Sequence, residues 1–291
     1  MNIKHGKVTT EGDDLYYEIR GQGQPLLMIP GGGGDGGAYA AVADLLSDEF
    51  KVITYDRRAN ARSTMHDPHH FDISQQSRDA VAIIHAASED SAVIFGNSSG
   101  AVIALDIAKT QPQAAMAIVA HEPPLVHIHP DREKWERFFR SVYNTAFRFG
   151  NIAAMLRFSF GIAVPFDYSF GKAVMAVRAA RKARALSREP YRDQKETIEF
   201  FLKQEMIPVT NYEPDIETIK GNGVKVVMAA GKRSLERKRF YAETASILAK
   251  RLGCEFIEFP GHHGSFVEIP AEWSATLRQT LRTTHQHLAP S

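Results

Sequence analysis

The chain has little sulfur chemistry to offer: one cysteine, Cys254, in 291 residues. A single cysteine excludes an intrachain disulfide framework and any metal site built from several thiolates. It also lacks an excess of charge of either sign, with 35 basic against 34 acidic residues, which argues against a nucleic-acid-binding face as its main business. No hydrophobic run approaches the length of a membrane span, and Met1-Asn2-Ile3-Lys4-His5-Gly6 has no apolar core of a secretory leader. These absences lead to the expectation of a soluble, cytoplasmic protein with neither nucleic acid nor membrane as partner. Self-association into a homodimer stays open. The length is enough for a full core and for one domain carrying a large insertion.

What is present begins with glycine. Leu26 to Ile29, a short and wholly apolar strand suited to the middle of a parallel sheet, runs into Pro30 and then Gly31-Gly32-Gly33-Gly34-Asp35-Gly36-Gly37. Such a backbone can approach a ligand closely and turn its N–H groups toward it. The P-loop lysine is missing. The G-x-G-x-x-G spacing of a dinucleotide site is met loosely, with Asp56 after the next strand.

The organising stretch is Gly96-Asn97-Ser98-Ser99-Gly100, a G-x-S-x-G between the strand-like Ser91 to Phe95 and the helix-like Ala101 to Lys109. A serine on a sharp strand-to-helix turn stands above the sheet edge, and the flanking glycines avoid collision with neighbouring backbone. Ser98 is the candidate nucleophile, against the plainer reading of a serine N-cap.

Around these pieces the pattern is strand alternating with helix. A hairpin is expected from Lys4 to Thr10 and Leu15 to Arg20 across Glu11 to Asp14. Strands follow at Phe50 to Tyr55, Ala114 to Ala120, Val224 to Ala230 and Glu255 to Phe259. Helices are expected at Ala38 to Leu46, Ser74 to Ser88 with Ser74 as N-cap, Arg239 to Leu252 and Ala271 to Arg282, with a frayed tail from His285. Such alternation implies an α/β fold with a mostly parallel sheet and right-handed crossovers. From Pro123 to Gly223 strand-like runs stop and amphipathic helical ones take over, including Glu133 to Phe149 and Gln194 to Glu205. This is read as a helical cap over residues 123–223, inserted in a core of 1–122 and 224–291. Its aromatics and methionines, Phe138, Phe139, Phe147, Phe149, Met155, Phe158, Phe160, Phe166, Phe170 and Met175, are core residues on one face and candidates to line a site on another. The basic cluster Arg178 to Arg184 reads as a solvated helix face.

A serine hydroxyl needs a base to take its proton, and a histidine base needs a carboxylate to fix its tautomer. His263 follows the last strand on a Gly-flanked turn, with His262 as its neighbour and rival.

At this point the chain resembles the α/β-hydrolase family over nearly its whole length. The resemblance is carried by the Pro30-Gly31-Gly32 loop, the Tyr55-Asp56-Arg57-Arg58 turn with Ser63, the Gly96 to Gly100 elbow and Pro260-Gly261-His262-His263. It implies an eight-stranded, mostly parallel sheet flanked by helices and a P-G-x-H turn ending in the catalytic histidine, which selects His263. It also implies an oxyanion hole from the backbone N–H groups of Gly32 and Ser99, and neither cofactor nor metal. The acid departs from the commonest pattern: Ala229-Ala230-Gly231-Lys232-Arg233-Ser234 carries no carboxylate, and Glu236 is the nearest. Ala120-His121-Glu122-Pro123-Pro124 is similar to the A-H-E-x-P turn of the zearalenone lactonases, with Glu122 placed 24 residues after Ser98. The resemblance therefore implies Ser98, His263 and Glu122 as a triad, with Glu236 as the alternative acid. It implies a serine hydrolase of carboxylic esters or lactones, with a small apolar substrate. Carbon–carbon bond hydrolysis, thioester hydrolysis and a ligand receptor without turnover are the competing readings.

Overall fold

In a computed structural model the described residues are 3–67, 69–162 and 189–286. The basic cluster Arg178 to Arg184, the aromatics Phe166 and Phe170, Met175, and the end of the tail lie outside them.

Eight strands form one sheet: β1 Lys4–Thr10, β2 Asp13–Arg20, β3 Gln24–Ile29, β4 Phe50–Tyr55, β5 Ala92–Asn97, β6 Ala115–His121, β7 Val226–Gly231 and β8 Glu255–Phe259. The order is β1-β2-β4-β3-β5-β6-β7-β8. The pairs β1·β2 and β2·β4 are antiparallel and the rest parallel. The β1–β2 turn is tighter than expected. Glu11 and Gly12 alone make it, with φ of 47° and 85°, so that Asp13 and Asp14 join the strand; two left-handed residues match the twist of a two-residue hairpin.

The central strands are buried on both faces, and alternate residues go to different cores. Leu27 and Ile29 face α2 Ile73–Ala86, α3 Ser99–Thr110 and the helix Phe240–Leu252, whereas Leu26 and Met28 face α1 Ala40–Leu46 and the closing helix Pro270–Gln286. Trp273 of that last helix is fully buried and meets Phe95 of β5 edge-on at 5.0 Å. The N-cap of α2 is Asp72, whose side chain accepts from the Ser74 N–H, rather than Ser74 itself. Ile73 is buried, so the helix must already be turning there.

Between β6 and β7 the chain is helical. The element α4 Arg132–Gly161 is two helices broken at Gly150, where φ is 84°. The halves fold back on each other, Arg157 Nε donating to Ser141 Oγ at 2.9 Å. The expected second helix is interrupted: α5 Gln194–Phe200 widens into a π turn at Phe201–Glu205 before α6 Met206–Thr210. After α6 the chain returns to the core. Tyr212 donates to Asp106 of α3, and Asn222, just past α7 Ile216–Gly221, donates to the Ala108 and Lys109 carbonyls. The short α8 Lys232–Glu236, then α9 Phe240–Leu252, α10 Ser265–Glu268 and α11 Pro270–Gln286 complete the chain. No helix among the described residues is long and apolar enough to cross a membrane.

Candidate active site

The carboxyl ends of β3, β5, β6, β7 and β8 converge on one spot, as they do beside a switch in strand order. At the end of β5, Ser98 sits at φ 56°, ψ −121°, a conformation disfavoured for a residue with a Cβ. The turn is tight enough that a Cβ on Gly96 would lie 2.2 Å from the Gly100 carbonyl oxygen, and one on Gly100 2.2 Å from that of Ile29. The Ser98 N–H donates to the His121 carbonyl at 2.9 Å, tying the elbow to the end of β6.

The residue directly after β6 is Glu122, fully buried, with φ 51°. Its Oε1 accepts the Gly231 N–H at 2.9 Å, and its Oε2 accepts from His263 Nδ1 at 2.5 Å. A neutral His263 that gives its Nδ1 proton to this bond keeps Nε2 as the unprotonated nitrogen. Burial alone would push the Glu122 carboxyl up, but the neighbouring imidazoles and the Gly231 N–H outweigh it and hold the group below the usual carboxylate range. Gly231 occupies the end of β7. A Cβ there would sit 2.7 Å from the Gly261 oxygen and 2.9 Å from His262 Cα, so the bare glycine lets the histidine turn close over the carboxylate.

The rival residues are elsewhere. His262 is buried and directed to Glu268, with Nε2 and Oε2 3.1 Å apart. Glu236 is exposed at the end of α8. Beneath the turn, His121 is fully buried and its Nδ1 lies 2.7 Å from Asn97 Oδ1. Burial pushes its imidazole down to about 4, so it is neutral near pH 7.

Ser98, Ser99, Gly32 and His263 all open on a cavity of about 560 Å³. Ser99 is the first residue of α3, so its N–H has no partner within the helix. The roof comes from the helices between β6 and β7. Phe139, Met155, Phe158, Ile198, Phe201 and Met206 line it, with Phe240 and Tyr241 on one wall. The phenylalanines and methionine of this helical segment therefore divide: Phe139, Met155 and Phe158 line the cavity, while Phe147, Phe149 and Phe160 are exposed.

The model of the alpha/beta hydrolase fold matches residues 24–198. The chain belongs to this family. A relative similar over its full length is the uncharacterized hydrolase YraK of Bacillus subtilis, 29% identical over 293 residues and covering 99% of both chains. Among solved structures, a thermophilic esterase from Thermogutta terrifontis superposes with a TM-score of 0.71 at 18% identity, covering 97% of this chain and 99% of that one. The enol-lactonase from Burkholderia xenovorans LB400 gives a TM-score of 0.70 at 15% identity over 95% and 100%. At such identities these two likenesses speak for the α/β-hydrolase fold alone.

Among the described residues of this α/β hydrolase, the side chains that come closest to a cation cage are His121, Glu122 and His263, whose donor atoms lie within 4.8 Å of one another. Two of those atoms already share the 2.5 Å hydrogen bond.

Sequence reasoning missed one buried pair beside the site. Arg57 and Glu205 are both fully buried, and Arg57 Nη2 lies 2.6 Å from Glu205 Oε1. The signal was present: Leu202, Glu205, Met206 and Val209 share a buried face at helical spacing, and one of the four is a carboxylate.

Proposed function

We propose that the chain is a serine hydrolase of carboxylic esters or lactones working through an acyl-enzyme, with Ser98 as nucleophile, His263 as base and Glu122 as acid. The observation that carries this reading is the 2.5 Å hydrogen bond from His263 to a fully buried Glu122, with His263 opening on the same cavity as a strained Ser98. Ser98 Oγ attacks the carbonyl carbon while His263 takes its proton. The tetrahedral oxyanion is held by the N–H groups of Gly32 and Ser99, one such donor being worth about 3 kcal/mol in acyl transfer. His263 then returns the proton to the leaving alkoxide, and a water activated by the same imidazole releases the acid.

The acid at the end of β6 is similar in placement to that of the zearalenone lactonases. The apolar roof of Phe139, Phe158 and Phe201 suits a bulky apolar acyl or lactone substrate. The cap is taken as residues 123–211, ending earlier than 223, because Tyr212 and Asn222 bond to the core helix α3.

Hydrolysis of short and medium p-nitrophenyl esters, aryl-fused macrolactones and thioesters, run beside Ser98→Ala, tests the reading. Ester or lactone turnover that disappears in Ser98→Ala is expected. Preference for thioesters would move the substrate class. Ligand binding with no turnover, and no labelling of Ser98 by an organophosphate, would point instead to a receptor.

A further inference from the structure

The peptide joining Gly31 to Gly32 is trans, so its C=O and N–H lie in one plane and point in opposite directions. Its N–H is the oxyanion donor proposed above. Its C=O is held from behind by two donors, Arg57 Nη2 at 2.7 Å and the Gly34 N–H at 3.0 Å. The Arg57 backbone N–H also donates to the Gly34 carbonyl at 2.8 Å, so one residue fastens the glycine loop at two points. Pinning the carbonyl fixes the plane in which the N–H can point. A cationic donor on the oxygen also polarises the amide and strengthens the N–H as a donor.

The guanidinium is held in turn from the cap. Glu205 Oε1 accepts from the same Nη2 at 2.6 Å, and Gln76 Oε1 from Nη1 at 3.3 Å. Glu205 closes the π turn that begins at Phe201, and Phe201 lies directly against Gly32, where a Cβ would meet its ring at 2.7 Å. The wide turn therefore brings to the glycine loop both a ring that packs on Gly32 and a carboxylate that anchors Arg57. Such turns are frequent at functional sites. A fully buried ion pair is weak evidence for stability, because apolar replacements of similar volume are often tolerated. Its contact with the Gly31 carbonyl supplies another role.

We propose that Arg57 and Glu205 are positioning residues that orient the Gly32 N–H toward the oxyanion and make its alignment depend on the seated cap. This rests on the serine-hydrolase reading. The test compares wild type with Glu205→Gln and with the double variant Arg57→Met/Glu205→Leu, which leaves no buried charge unpaired if a single substitution prevents folding. With folding checked by circular dichroism and melting temperature, kcat for a p-nitrophenyl ester is expected to fall about tenfold to a hundredfold in the double variant, with KM within about twofold. Affinity for a trifluoromethyl ketone, whose adduct on Ser98 carries the oxyanion, is expected to fall by the same factor as kcat/KM. Glu205→Gln keeps an oxygen facing Arg57 and is expected to lose less. A folded double variant with unchanged kcat, or with reduced kcat but unchanged ketone affinity, would overturn the positioning role alone. A wild-type chain that neither hydrolyses esters nor forms the ketone adduct would overturn the serine-hydrolase reading and this proposal with it.

Discussion

Glu122 and His263, 141 residues apart in the chain, meet at 2.5 Å in a place where the carboxylate has no contact with water. A buried acid whose two oxygens are engaged by the His263 ring and the Gly231 N–H has one orientation, and it imposes one tautomer on the histidine. Glu122→Gln keeps the shape but removes the charge that stabilises the imidazolium, so kcat is expected to fall by about 10³ to 10⁴, as in serine hydrolases whose acid is made an amide. Glu236→Gln, on the exposed end of α8, is expected to leave kcat unchanged. Steady-state kinetics on one chromogenic ester decide it, and an active Glu122→Gln would remove the acid assignment.

The parts of this site that were legible in the sequence are those written in local pattern. The wholly apolar Leu26 to Ile29 and Val93 to Phe95 mark strands buried on both faces, and the two glycines around Ser98 mark a turn too tight for side chains. Glu122 stood out because it directly follows a strand and precedes two prolines. What escaped depends on partners far away in sequence. Arg57 and Glu205 are 148 residues apart, and nothing near either announces the other. By contrast, the helix expected at Glu133 to Phe149 ends where the structure breaks it, at Gly150 with φ of 84°, a glycine just past a periodic run being a local stop signal.

Gly231 ends β7 directly against the turn that carries His263, and its lack of a side chain is required. Gly231→Ala places a methyl 2.7 Å from the Gly261 oxygen and 2.9 Å from His262 Cα. Both are backbone atoms, so the turn carrying His263 must move rather than a side chain swing aside. A loss of kcat of about tenfold or more is expected, with a fall in melting temperature of a few degrees, since overpacking costs about 1–3 kcal/mol. Alanine with wild-type kcat would show that the turn tolerates displacement.

His121 makes stability depend on pH. Its imidazole is held down to about 4 by burial, whereas an unfolded chain protonates it near 6.5. Between pH 6.5 and about 4 the unfolded state takes up a proton that the folded state refuses, so stability is lost on acidification through that window and is fully present above it. At about 1.4 kcal/mol per pH unit, the whole window is worth about 3 kcal/mol. His121→Leu is expected to be less stable at pH 7.5, having lost the bond to Asn97, yet to lose less on going to pH 4.5. Urea midpoints for both chains at the two pH values measure this, and parallel losses would mean that His121 titrates normally.

Gly32 and Phe201 allow the contact between the π turn and the glycine loop to be examined by compensation. A methyl at Gly32 would approach Phe201 Cε2 to 2.7 Å and Cδ2 to 3.0 Å, closer than carbon atoms pack, so either the ring or the loop gives way. The ring belongs to the π turn that also holds Glu205, which restricts its retreat. Gly32→Ala alone is therefore expected to shift the loop and lower kcat about tenfold. Phe201→Leu alone removes part of the cavity roof and is expected to raise KM a few-fold with little change in kcat. In the double variant the shorter side chain makes room for the methyl, and kcat is expected to recover to within about threefold of wild type. That recovery would be a coupling of about 1 kcal/mol between two residues in contact, within the range of neighbouring sites. A double variant as slow as Gly32→Ala would mean that the methyl harms the loop through its own backbone or through the bound substrate, and that the ring above it does not set the position of the Gly32 N–H.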